Sequence, residues 1–322
     1  MLLQMLKKIA DNVYKLKIPI PYDLGSVNCY IIEGSNGYTI VDTGDYTEEA
    51  IALWEKVLPK NKPIEKVVLT HAHTDHIGLA GWFQKKYKAD VWISRAGFTE
   101  IQNILSKFEG IVYSSPLSSL FYSNGGPSHP EQNDTFYNYA AYEFEPNYLF
   151  EADELITIGD KSYESIWTPG HSPDHFSFYE PDNQILFVGD HILQSLNPIV
   201  MATSMKENPL ELYFQALDKL HLLPTKYVLP GHGDMVKNLT ARIEDMKAHY
   251  RKRWNQIIDA IQAGERTAFQ ISEKIYGIDQ PIARKMSGFL QTITNLIYLS
   301  STKEIMMKEQ GGMIFYYPMD GQ

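Results

Sequence analysis

Six consecutive residues, His71-Ala72-His73-Thr74-Asp75-His76, set four groups able to ligate a metal directly after an apolar strand candidate, Lys66 to Thr70. Imidazole and carboxylate are donors that borderline divalent metals such as zinc, iron and manganese accept. Three further donors stand in one repeated setting, a strand pattern ending in a glycine turn. These are His171 in Thr-Pro-Gly-His, Asp190 in Phe-Val-Gly-Asp and His232 in Leu-Pro-Gly-His. A glycine there lets the backbone turn sharply and approach a site closely. Each signal is weak alone; in this order they demand a fold that delivers strand ends to a common place.

The surrounding pattern supplies such strands. NVYKLKI, NCYIIEG and GYTIVDTG read as a β-meander, residues 47 to 58 as a helix, and the motif itself as a loop before a helix from about Ile77 to Tyr87. DVWIS, ELITIGD, YESIWTPG, HFSFYEP and QILFVGD follow as strands, then a helix at about 209 to 222 and the strand KYVLPG. Between Gly97 and Glu154 periodicity fades and Tyr, Phe, Ser, Asn and Pro accumulate, which predicts an aromatic-rich insertion or cap. From about Leu239 three helices are expected, the second opened by Thr267 as N-cap, then a hairpin turning at Gln310-Gly311-Gly312. The expected division is therefore 1–236 as a catalytic domain with its insertion at 97–154, and 237–322 as a small winged-helix-like helical domain.

Composition narrows the function classes. A single cysteine, Cys29, excludes an internal disulfide framework and a thiolate-rich metal site. No stretch approaches the roughly 18 to 20 apolar residues of a membrane span, and the first residues lack a signal peptide's apolar segment, so a cytoplasmic, non-membrane protein is expected. The net charge of -10 disfavours phosphate-rich partners, although the chain from Lys237 onward holds 12 Lys and Arg against 9 Asp and Glu.

The series HxHxDH, PGH, GD and PGHG, with Val41-Asp42-Thr43-Gly44 as an early motif, resembles the metallo-β-lactamase superfamily over roughly residues 10 to 235. The resemblance implies an α/β fold, a four-layer αβ/βα sandwich with metals at one edge. It implies that His71, His73 and His171 hold one metal, that Asp75, His76 and His232 hold the other, and that Asp190 bridges both. Asp42 is better placed as an acceptor that orients a ligand imidazole. Two divalent ions, zinc first with iron or manganese as alternatives, would generate hydroxide near neutral pH, with no Ser, Cys or Lys nucleophile. Asp75 is placed to orient that hydroxide, and His175 is a second catalytic candidate, with a structural role as its alternative. His191, His221, His129 and His249 are read as non-ligands.

Fold and metals leave the substrate open. A flavodiiron reductase is disfavoured because His73 stands where that branch has Glu. A nuclease of the cleavage and polyadenylation type would need a large insertion between Asp190 and His232. The remaining resemblance is to glyoxalase-II-like thioesterases and to lactamase-like endoribonucleases with a winged-helix tail. For a thioesterase, Phe98, Phe108, Tyr113, Phe121, Tyr122, Tyr137 and Tyr139 would wall a pocket. For a ribonuclease, Arg251, Lys252, Arg253, Arg284 and Lys285 would track phosphates, yet 97–154 contains only Lys107 as a basic residue. The expectation is a hydrolase acting on a thioester or small carbonyl ester. RNA phosphodiester hydrolysis and a mononuclear-iron persulfide dioxygenase are the alternatives. The expected partners are a small-molecule substrate and a second copy of the chain, with nucleic acid disfavoured.

Overall fold

Seven strands form a first sheet in chain order: β1 (Leu6–Ala10), β2 (Val13–Pro19), β3 (Ser26–Glu33), β4 (Tyr38–Val41), β5 (Ile64–Val68), β6 (Asp90–Ser94) and β7 (Tyr148–Phe150). The computed structural model describes residues 6–21, 23–58, 60–109, 116–127 and 139–319. β1 to β4 pair antiparallel, and β4 to β7 pair parallel. Parallel neighbours need crossovers. Here these carry α1 (Glu48–Val57), α2 (Thr74–Ile77), α3 (Ala80–Tyr87) and α4 (Arg95–Glu109). α1 starts where Thr47 accepts the Ala50 N–H, and its Trp54 is fully buried with Nε1 donating to the Thr43 carbonyl at 2.7 Å. Truncating such a tryptophan to alanine typically costs about 3–5 kcal/mol.

The second sheet contains β8 (Glu154–Ile158), β9 (Lys161–Trp167), β10 (Phe176–Glu180), β11 (Ile185–Gly189) and β12 (Tyr227–Pro230), in the order β12-β11-β10-β9-β8. β11 and β12 are parallel, and the chain between them includes α6 (Pro209–His221). The sheets share one core: Tyr30, Ile32, Val41 and Val68 from the first meet Ile158, Phe178, Phe187 and Leu229 from the second. The outer face of the first sheet buries Cys29, Ile31, Ile40 and Val67 against Trp54, Phe83 and Ile101 of the helices. Burial on both faces explains why β3 is buried continuously from Val27 to Ile32, Asn28 included, rather than alternating with exposed residues.

Two segments differ from the sequence expectation. The motif is not wholly a loop, because Thr74–Ile77 makes one helical turn before the chain breaks and restarts at Ala80. The region after DVWIS does not lose regularity at once: Arg95–Glu109 is a continuous helix, opened by Ser94, whose hydroxyl accepts the Gly97 N–H. Phe98, Ile101 and Leu105 recur at helical spacing and pack on the first sheet's outer core. Gly97 in its first turn obscures this pattern.

By contact density the chain forms two units, residues 1–109, 136–198 and 219–242 in one, and 110–135, 199–218 and 243–322 in the other. The second unit draws its core from α7 (Leu239–Gln262), α8 (Ala268–Tyr276), α9 (Ile282–Ser301) and the pair β13 (Ile305–Gln310) and β14 (Met313–Pro318). Thr267 forms a capping box with Gln270, and Gly311 and Gly312, both at positive φ, make the hairpin turn. Part of the expected cap belongs to this core. In α5 (Pro116–Ser123) Phe121 is buried 5.0 Å from Phe289, and Asn124 just beyond accepts the Tyr316 hydroxyl at 2.8 Å. Tyr122 and Tyr139 are exposed, whereas Tyr113, Tyr137, His129 and the Phe108 and Lys107 side chains lie outside the described residues. Among the described residues no helix is long and apolar enough to cross a membrane.

Candidate metal centre

Every donor singled out by sequence follows the carboxyl end of a strand. Asp42 follows β4, His71 to His76 follow β5, His171 follows β9, Asp190 follows β11 and His232 follows β12. Strand carboxyl ends are where open α/β sheets place ligands. The donor atoms of His71, His73 and His171 lie within 4.8 Å of one another, as do those of His71, His76 and Asp190, and those of Asp75, His76 and His232.

Ring orientation follows from the outer hydrogen bonds. Asp42, at φ 57, accepts the Thr70 N–H through Oδ1, and both the Thr70 hydroxyl and His76 Nδ1–H through Oδ2. Because the carboxylate can only accept, the Thr70 hydroxyl donates to it and keeps a lone pair for His71 Nδ1–H at 3.0 Å. His232 Nδ1–H donates to the Ser26 carbonyl at 2.8 Å. His71, His76 and His232 therefore all turn Nε2 inward.

Inside, His73 Nδ1 lies 3.0 Å from both His71 Nε2 and His171 Nε2. One Nδ1 carries at most one proton, so it cannot donate to both. Nitrogens bound at about 2.0–2.1 Å to one tetrahedral ion sit roughly 3.3 Å apart, close to this spacing. His76 Nε2, His232 Nε2 and Asp190 Oδ1 are buried without a hydrogen-bond partner. Buried polar atoms are otherwise paired almost without exception. His232 Nε2 is 3.2 Å from both Asp75 Oδ2 and Asp190 Oδ2, and the latter oxygen is also 3.5 Å from His171 Nε2. Asp190 thus faces both groups, and the donor set fits divalent cations.

Electrostatics agree. Burial opposes charging His76, but Asp190, Asp42 and Asp75 outweigh it and hold the imidazole well above its ordinary value. For His232 burial is likewise outweighed, by Asp190 and Asp75, and the value is pushed up to about 9. Burial would raise the Asp75 and Asp190 carboxyls, yet His76 and His232 hold both below the usual range, Asp190 well below it. Without a metal the site takes up protons where positive charge is missing. His71 is pushed well below its usual value by burial first and then by His76 and His73. It stays neutral, as a ligand must be.

His175 does not reach the opening. The ring is fully buried, its Nε2 accepts the Asp190 N–H at 3.0 Å, and Nδ1–H meets Thr168 Oγ1 at 2.8 Å. Its Nε2 is spent on the Asp190 N–H and its Nδ1–H on Thr168, an arrangement in which His175 positions Asp190 from behind. His191 is buried 5.9 Å from the His175 ring and joins none of the donor groups, nor do His221 and His249. Among the residues that escaped the sequence reading are Thr70, which links Asp42 to His71, and buried Asp174, which accepts the Ala72 N–H at 2.8 Å and the Ser172 hydroxyl. Their positions, directly before His71 and three residues after His171, were the available signals. Among the donors His73 is exposed and Asp75 and His171 are partly so, whereas His71, His76, Asp190 and His232 are sealed.

Comparison with known proteins places this arrangement. The chain is 26% identical to the Bacillus subtilis (strain 168) protein named probable metallo-hydrolase YqjP, over 96% of this chain and 99% of that one. It is 21% identical to an atrochrysone carboxyl ACP thioesterase of Aspergillus fumigatus, over 93% and 84%. The crystal structure of a beta-lactamase domain protein from Burkholderia ambifaria superposes with a TM-score of 0.84 at 22% identity, covering 97% of this chain and 93% of that one, a likeness of fold. Residues 22–232 match the family model of the metallo-beta-lactamase superfamily, a span that ends on His232. With the donors gathered at one edge of a two-sheet sandwich, this chain belongs to the metallo-beta-lactamase superfamily.

Proposed function

We propose that this chain hydrolyses a thioester or a related small carbonyl ester with two divalent ions, zinc foremost. His71, His73 and His171 hold one ion, Asp75, His76 and His232 the other, and Asp190 serves both. The observation that carries this reading is the pair of buried Nε2 atoms, on His76 and His232, which make no hydrogen bond yet face the carboxylates of Asp75 and Asp190 at 3.2 to 3.8 Å. Ions held by this set supply Lewis acidity and acidify water.

The residues of the chain do the rest. Asp75, kept ionised and partly exposed, accepts a hydrogen bond from the attacking water and aims it. His73 and His171 border the open side, so the ester carbonyl enters beside them. His175 and Asp42 hold Asp190 and His76 in place from behind.

A thioester is favoured over a phosphodiester on two grounds. One relative carries thioesterase in its name. Among the residues considered for phosphate tracking, Arg253 lies over the Tyr276 ring at 4.5 Å, and Lys285 pairs with Glu273 at 2.7 Å. The test is a screen of zinc-loaded protein against S-acyl-glutathione, acyl-CoA esters, lactones, phosphodiesters and single-stranded RNA. Thioester turnover lost in Asp75→Ala is the expected result. Cleavage of RNA alone, also lost in Asp75→Ala, would overturn the substrate class, and one bound iron with oxygen consumption would overturn hydrolysis.

A further inference from the structure

His232 sits on a loop of the second sheet, Pro230 to Gly233, whose carbonyls are fastened by the first sheet. Asn28, fully buried on β3, donates Nδ2 to the Pro230 carbonyl at 2.9 Å and to the Gly233 carbonyl at 3.0 Å. Its backbone N–H donates to the Gly231 carbonyl at 2.6 Å. The Tyr30 hydroxyl donates to the Pro230 carbonyl at 2.7 Å, and Lys15 Nζ reaches the Gly233 carbonyl at 3.2 Å. Lys15 and Tyr30 are register partners across β2 and β3.

The orientation of the Asn28 amide is determined by these contacts. A flipped amide would set Oδ1 against two carbonyl oxygens, so only Nδ2 can face them. Both amide protons are spent on the carbonyls that flank His232, while Oδ1 is left buried without a partner. An unpaired buried acceptor costs stability. The fold tolerates it where the loop conformation is what the amide secures.

We infer that Asn28, supported by Tyr30 and Lys15, is a positioning residue that sets His232 Nε2 between Asp75 and Asp190 and so determines the affinity of one metal site selectively. The inference rests on the two-ion reading above. The His71, His73 and His171 group has separate anchors: Thr70 holds His71, and Asp174 holds the backbone at Ala72. Removing the Asn28 amide therefore loosens the His232 group and leaves the other in place.

The test is stepwise zinc removal by a chelator from the full chain, with zinc per chain measured by elemental analysis and folding by circular dichroism. Wild type is expected to bind two zinc ions. Asn28→Ala weakens one of them about 10- to 100-fold, the range typical when a residue that orients a ligand is lost. That ion is the one also lost in His232→Ala. Tyr30→Phe, which keeps the ring packed 5.1 Å from Phe187, weakens the same ion by a smaller factor. If Asn28→Ala does not fold, Tyr30→Phe decides. Equal weakening of both ions, or of neither, in a folded variant overturns the inference while leaving the two-ion reading intact. A wild-type chain that binds a single zinc overturns both.

Discussion

Asp42 Oδ2 accepts the Nδ1–H of His76 at 2.8 Å and, from the same oxygen, the Thr70 hydroxyl at 2.9 Å. One carboxylate thus sets a ring from the helical turn after β5 directly and the His71 ring through an intermediary. Asp42→Ala should lower zinc affinity about 10- to 100-fold. Chelator competition on the folded variant measures it, and unchanged affinity would show that Asp42 holds only the backbone.

The pH dependence follows from His232. Its folded value of about 9 lies above the ordinary 6.5, so its protonation stabilises the metal-free fold fully below about pH 6.5, and that contribution is lost as pH rises through about 9. The Tm of the metal-free chain should fall between pH 7 and pH 9.5, whereas the zinc-loaded chain should show no such fall. At pH 7 zinc binding must expel protons from His76 and His232, so calorimetry in buffers of different ionisation enthalpy should report proton release, and affinity should rise with pH.

Gly231 tests how closely the loops approach. A methyl group there would stand 2.3 Å from Asp190 Oδ1 and 2.8 Å from His76 Cε1. Gly231→Ala is expected to lose about 1–3 kcal/mol of stability to overpacking, with reduced metal content. Denaturant unfolding and elemental analysis of one preparation give both numbers; a variant with full zinc and wild-type stability would contradict the packing described.

His175→Ala separates positioning from acid–base catalysis. Leaving the Asp190 N–H without an acceptor costs about 1–3 kcal/mol, and kcat should fall as Asp190 loosens. The pH–rate profile should keep the shape it has in the wild type, because both ring nitrogens are already engaged by Asp190 and Thr168. Disappearance of one limb of that profile would restore His175 to the chemistry.

Much of this was legible in the chain itself. His71, His73, Asp75, His76, His171, Asp190 and His232 announce themselves because donor residues right after apolar strands have no structural reason to be there. Asn28 and Tyr30 were not legible, since they stand in a strand of ordinary composition and their partners lie about 200 residues away. Phe121 reads in sequence as part of a cap because its partner Phe289 is remote along the chain, and side-chain identity does not say which core an aromatic joins. Gly97 hid α4 by interrupting helix propensity where the Ser94 cap and the Phe98, Ile101 and Leu105 stripe restore it.

The donors come from both sheets, His71 to His76 from the first and His171, Asp190 and His232 from the second. An ion bound across that seam would act as a rivet, because parting the sandwich would also part its ligands. Metal affinity would then become a component of folding free energy, so that removing the metal should lower the stability of the whole sandwich as well as its activity.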